Sequence, residues 1–131
     1  MTNIERLDRA ADIMRRKWIY EAETGLFFNR DNKNVIKGSL TSKGYLIVTV
    51  QEDDFKVALS YQKAAYVYCY GAYDETMFDV HHINLKKQDN RIKNIRLMPK
   101  EQHRRIHRNV RRIRRLGFTQ WLQPQVIEAS L

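Results

Sequence analysis

Apolar residues recur at Ile4, Leu7, Ala11, Met14 and Trp18, three or four apart, and predict an amphipathic helix over 3–19 with one buried stripe. Thr2 or Asn3 can cap it. Glu5 falls in its first turn and Arg15, Arg16 and Lys17 in its last, in the sense the helix dipole favours. From residue 20 the pattern shortens to strands. Leu26-Phe27-Phe28 and Val35-Ile36 flank the turn-forming run 31–34, and Tyr45–Val50 and Phe55–Leu59 flank the acidic turn 51–54. Residues 61–70 suit a short helix ending at Gly71, with Tyr61, Ala64, Ala65, Tyr68 and Cys69 on one face. Two further strands, Met77–Ile83 and Ile92–Met98, are predicted around a polar loop. A long helix then runs from Pro99 to about Leu116, stopping at Gly117, with apolar positions Ile106, Val110, Ile113 and Leu116–Phe118.

The elements describe one α+β domain of 131 residues: an N-terminal helix (1–19), a small antiparallel β module (20–76), a strand-strand-helix core with a long helix (77–116) and a tail (117–131). The tail carries Trp121, Leu122, Val126 and Ile127 around Pro124, and either docks on the body or contacts a partner. Tyrosines 61, 66, 68, 70 and 73 invite a base-stacking reading, but core packing with the hydroxyl at the surface is the favoured one.

Composition changes this picture in one respect. The net charge is +9, and it is uneven. Between Lys86 and Arg115 stand thirteen lysines and arginines against only Asp89 and Glu101, a surplus larger than that of the whole chain. A long helix whose outer faces are mostly arginine is the electrostatic footprint of a nucleic-acid binder, since the guanidinium fork matches phosphate oxygens. The candidate contacts are Lys86, Arg91, Lys93, Arg96, Arg104, Arg105, Arg108, Arg111, Arg112 and Arg115. No run of about 18 apolar residues is present, so no membrane span is expected. The N-terminus lacks the apolar stretch of a signal peptide, and the single cysteine, Cys69, permits no internal disulfide. Both fit a cytoplasmic protein. A cysteine-based zinc site is excluded, so any metal must rest on histidine, asparagine or carboxylate.

All four histidines lie in one 27-residue window that overlaps the basic region, at His81, His82, His103 and His107. His103 and His107 are one helical turn apart on one face. His81 and His82 are adjacent in a strand and point to opposite faces, so two different roles are expected of them. Asn94 lies twelve residues after His82 and nine before His103. With that spacing, and with Asp89-Asn90-Arg91-Ile92-Lys93-Asn94-Ile95-Arg96-Leu97 between, the segment resembles the ββα-metal core of the HNH endonucleases, of the phage and homing type. Gly44-Tyr45, the following strands and the 61–70 helix resemble the module that often precedes this motif, so the likeness covers roughly residues 20–107.

The resemblance implies a metal-dependent DNA endonuclease, nicking or cutting duplex DNA in a bacterial or phage-infected cell and leaving a 5′ phosphate and a 3′ hydroxyl. It implies His81 and His103 as ligands of one divalent metal ion, His82 as general base, and Asn94 as the residue that braces the loop and orients that base. His107 matches a third ligand of colicin-type relatives, or else is a phosphate contact beside the arginines. With no acidic residue in the first ligand position, zinc or nickel-like ions are favoured over magnesium, with manganese a further candidate. Leu85 stands where family loops often carry glycine, so a differently shaped hairpin loop is expected; Asn84 and Asn90 are read as loop-shaping. Cutting both strands calls for two copies, so a homodimer is an option. Two other readings remain: a non-catalytic, metal-stabilised DNA-binding protein, and a basic RNA-binding or ribosome-associated protein, which leaves the His-Asn-His spacing as coincidence.

Overall fold

In the computed structural model, residues 1–129 are described; residues 130 and 131 and the side chains of Val126, Glu128 and Ala129 lie outside the described residues, and with them the expected role of Val126. Helix α1 (Asn3–Lys17) opens on a capping box, in which the Glu5 amide donates to Thr2 Oγ1 and the Thr2 amide to Glu5 Oε2, both at 3.1 Å. Such a cap contributes about 1 kcal/mol. The helix ends two residues before the expected boundary, because Trp18-Ile19-Tyr20, aromatic and β-branched, pair as strand β1 (Trp18–Glu21) with β2 (Leu26–Asn29). The buried stripe is Leu7, Ala10, Ala11, Ile13 and Met14; Ile4, expected in it, is exposed.

Strand β2 also pairs with β3 (Val35–Ile36), and a second antiparallel sheet runs β4 (Ser39–Leu40), β5 (Leu46–Glu52), β6 (Phe55–Ser60). Along β5 and β6 the inward residues Val48, Val50, Val57 and Leu59 alternate with exposed ones, as a half-buried sheet requires. They pack with α1 and with α2 (Tyr61–Tyr70) around Phe27, whose ring touches Trp18, Tyr20, Tyr61 and Tyr68. Tyr61 is core as expected, but its hydroxyl is buried rather than at the surface: it accepts from the Phe27 amide (2.7 Å) and donates to the Ile36 carbonyl (2.8 Å), whereas Tyr70 and Cys69 are exposed at the end of α2. Tyr73 is buried, like Tyr61.

The third sheet is a hairpin of β7 (Phe78–His82) and β8 (Ile95–Pro99), followed by α3 (Lys100–Leu116). Both strands are shorter than expected. Ile92–Asn94 is a 3-10 turn rather than strand, closed by the Asn94 amide on the Arg91 carbonyl at 2.8 Å. Pro99 ends β8 and leads into the helix, which Gly117 terminates in the left-handed conformation, φ 82°. A second apolar cluster of Met98, Ile106, Val110 and Ile127, with Leu85 and Leu122 against it, fastens α3 to the hairpin. The tail docks on the body there, through Leu122 and through Ile127 of α4 (Pro124–Ala129).

Candidate functional site

The hairpin β7–β8 sets His81 and His82 side by side at the end of β7, and the first two turns of α3 bring His103 and His107 against them. His81 and Asp79, two residues apart, share one strand face, and that face meets the helix. The rings of His81 and His103 lie edge to face at 5.3 Å, those of His103 and His107 at 4.5 Å. His103 Nε2 and His107 Nε2 stand 3.0 Å apart, while His103 Nδ1 donates to Asp79 Oδ2 at 3.0 Å. The carboxylate fixes the His103 tautomer and leaves its Nε2 lone pair aimed at His107. Burial pushes the imidazolium form of His81 down to about 3, assisted by His103 and His107; burial and His103 push His107 to about 4. All three sequence-predicted ligands are therefore gathered in one place, with His81 and His107 neutral near pH 7.

The donor set suits a divalent ion of the zinc or nickel kind: neutral imidazoles, one backed by a carboxylate. Among the described residues no three histidine, cysteine or carboxylate side chains stand in a metal-holding arrangement as placed. The His103–His107 pair by itself has the right spacing: two imidazole nitrogens sharing an ion at about 2.0–2.1 Å in tetrahedral geometry lie little more than 3 Å apart, and these two Nε2 atoms are 3.0 Å apart. The His81 ring lies edge to face beside them.

His82 faces away from this cluster. Its ring lies 6.1 Å from that of Tyr45, and its Nε2 meets Asn90 Oδ1 at 2.7 Å. An amide oxygen only accepts, so Nε2 carries the proton and Nδ1 keeps the free lone pair. Burial lowers the pKa of His82, against the opposing effect of its hydrogen bond to Asn90. This corrects the role expected of Asn94. Asn94 does brace the loop: its Nδ2 donates to Asn84 Oδ1 and to the Asp89 carbonyl, and its Oδ1 accepts from the Asn84 amide. The residue that touches His82, however, is Asn90, because the chain between Asn84 and Asn94 folds back under His82. Asp89 ties the same loop through Asn84 Nδ2 and a two-pronged pair with Arg91, which holds its carboxyl down to about 2. Arg91, expected at the DNA surface, is thus engaged in bracing the loop.

The loop is held from outside by the β module. Tyr20 Oη donates to the Asn90 carbonyl at 2.5 Å. Gly25, φ 74°, presses on the Asn90–Arg91 backbone so closely that a Cβ there would sit 2.4 Å from the Arg91 nitrogen. Leu85 has φ 66°, the conformation glycine adopts without cost, so the loop keeps a glycine-type turn although the residue is leucine. Its side chain compensates by joining the cluster under α3.

His81, His82, His103 and His107 all border one pocket of about 200 Å³, rimmed by Tyr45, Lys87, Arg111 and Arg114. Lys87 spans the rim, with Nζ over the Tyr45 ring at 4.8 Å and on the Lys43 carbonyl at 2.7 Å. Arg108, Arg111, Arg112 and Arg115 line an open groove further along α3. Arg108 and Arg104 also reach Glu101, at 3.3 and 3.8 Å. Lys86, Lys93, Arg96 and Arg105 are exposed elsewhere on the hairpin and helix. Sequence reasoning missed Asp79 and understated Asn90. The two-residue spacing of Asp79 and His81 was a usable signal for the first; nothing local marked the second, whose role depends on how the loop folds back.

This arrangement, a β hairpin and helix with histidines on both, is similar to the ββα fold of the HNH class. Residues 63–105 match the model of a family described as HNH endonuclease, a stretch that includes His81, His82, Asn94 and His103. Among solved structures the chain is similar in fold to the HNH homing endonuclease I-HmuI, from a structure described as DNA binding and cleavage by that enzyme; the match has 16% identity, covers 76% of this chain and 53% of that one, and gives a TM-score of 0.53. This chain thus aligns with about half the length of that endonuclease. No curated protein matches the sequence.

Proposed function

We propose that the chain is a metal-dependent endonuclease that hydrolyses a phosphodiester bond of DNA. The observation that carries this reading is the division of labour around one pocket: His81, His103 and His107 converge on one side, and His82, oriented by Asn90, stands on the other. Both the family match and the likeness to a DNA-cleaving homing endonuclease support it.

His81, His103 and His107 would hold the divalent ion. When bound, it supplies positive charge to the phosphate and to the leaving 3′ oxygen. His82 Nδ1 takes the proton of the attacking water, as a neutral imidazole can near pH 7. As the water oxygen bonds to phosphorus, the bond from phosphorus to the 3′ oxygen breaks, giving a 5′ phosphate and a 3′ hydroxyl. Asn90 keeps Nε2 of His82 protonated, so that Nδ1 stays the basic atom. Lys87, Arg111 and Arg114 at the rim position the phosphate. The arginine groove grips neighbouring phosphates. One chain contains one such site, so nicking is expected of a monomer.

The test is plasmid cleavage by the native chain and by His82→Ala, with Mg²⁺, Mn²⁺, Ni²⁺ or Zn²⁺. Native cleavage lost in the variant, with DNA binding kept, is the expected result. If neither protein cuts under any metal while both bind DNA equally, the histidines serve a structural metal in a DNA-binding module instead.

A further inference from the structure

The chain leaves α3 through Gly117 and makes a tight turn at Thr119–Trp121 before α4. In that turn Phe118 and Trp121 stack on each other, centroids 4.6 Å apart and planes 18° from parallel. Both are exposed, at 40% and 51%, beside an exposed Leu116. The pair is held in place: the Phe118 amide bonds the Ile113 carbonyl, the Trp121 amide bonds the Phe118 carbonyl, and Leu122 and Ile127 anchor the next residues on α3. A tail that served only to cover the apolar face of α3 would bury its largest rings there. This one buries Leu122 and Ile127 and presents its aromatics to solvent, at the end of a helix whose solvent side is an arginine groove.

We propose that Phe118 and Trp121 form a stacking platform for an unpaired nucleobase of the nucleic acid held along α3. The occupant follows from charge complementarity: Arg111, Arg112 and Arg115 attract a phosphate chain, and an aromatic face at the end of such a groove is what an unstacked base fits. Phe118 lies eleven residues beyond His107, roughly 16 Å along the helix axis. That is about five nucleotides from His107 at roughly the 3.4 Å per nucleotide of a duplex strand. The inference rests on the nucleic-acid reading above and adds a preference for DNA opened at a defined distance from the cut.

The experiment measures binding of the full chain, without added metal, to three labelled DNAs of one sequence: fully paired, bearing a short unpaired bubble, and single-stranded. Trp121→Ala is expected to lose about tenfold affinity for the bubble and single strand and little for the paired duplex, with an unchanged salt slope. Trp121→Phe, which keeps a ring, restores most of the loss. Arg112→Gln weakens binding to all three and flattens the slope. Equal affinities of native and Trp121→Ala on every DNA, or an equal loss on all three, overturn the platform while leaving nucleic-acid binding intact. A native dimer dissolved by Trp121→Ala assigns the patch to a second copy and also overturns it. Failure of the native chain to bind any of the DNAs removes this inference together with the proposed function.

Discussion

At the scale of single residues, the centre depends on two side chains that do no chemistry themselves. Asp79 holds His103 through Nδ1, and Asn90 holds His82 through Nε2. Replacing a carboxylate behind a metal-bound imidazole typically costs ten- to a hundredfold in affinity, and Asp79→Ala is expected to weaken Ni²⁺ or Zn²⁺ binding by about that factor, read by titration calorimetry. The buried imidazoles make a second prediction. His81 and His107 are held below the ordinary histidine value, so as pH falls below about 6.5 the unfolded chain takes up protons that the folded chain refuses. Stability of the metal-free protein should be level above that pH and decline towards about pH 3, while added metal delays the decline; urea midpoints across that range measure it. The histidines, their spacing and Asn94 were legible in the sequence because metal and base chemistry restricts residue type. Asn90 was not, because an asparagine in a polar loop looks the same whether it shapes a turn or faces a base.

At the scale of elements, the strands and helices were readable wherever burial imposes a period, as in α1, β5, β6, α2 and α3. Some errors fall at ends, where tertiary pairing decides, and two short elements, β4 and α4, carry no period and were not anticipated at all. Trp18 could extend α1 by its spacing, yet it pairs with Asn29 instead. Ile92 and Asn94 fit a strand by composition, but Asn94 makes its side-chain hydrogen bonds from a 3-10 turn. Contact between the β1–β2 hairpin and the 84–94 loop is likewise invisible to periodicity. It predicts that Gly25→Ala, far from the histidines in sequence, displaces the Asn90–Arg91 backbone, because the nearest obstacle is main chain and φ is positive. A loss of about 2 kcal/mol or more by chemical denaturation is expected, together with slower cleavage. Thr24→Ala next door, exposed, serves as the control with little effect on either.

For the whole molecule, the uneven charge seen in the sequence becomes a single direction in space: pocket rim, groove and helix end follow one another along α3. Reversing Arg111 and Arg112 to glutamate is expected to weaken duplex binding and flatten its dependence on salt, measured by anisotropy at several ionic strengths, with the fold unchanged because both are exposed. An unchanged slope would place the groove away from the phosphates. Charge and periodicity made the fold class and the basic helix legible, whereas the tail's docking through Leu122 and Ile127 required the three-dimensional partner surface. The bond from Tyr20 to Asn90 joins positions seventy residues apart. Contacts of such long sequence separation are slow to form, since the chain must close a large loop before they are gained. The β module precedes the histidine segment in the chain and can emerge and collapse while that segment is still unfolded. His82 gains its bond to Asn90 only when both ends of that loop have met, so on the proposed reading a half-made or locally opened chain carries no oriented base.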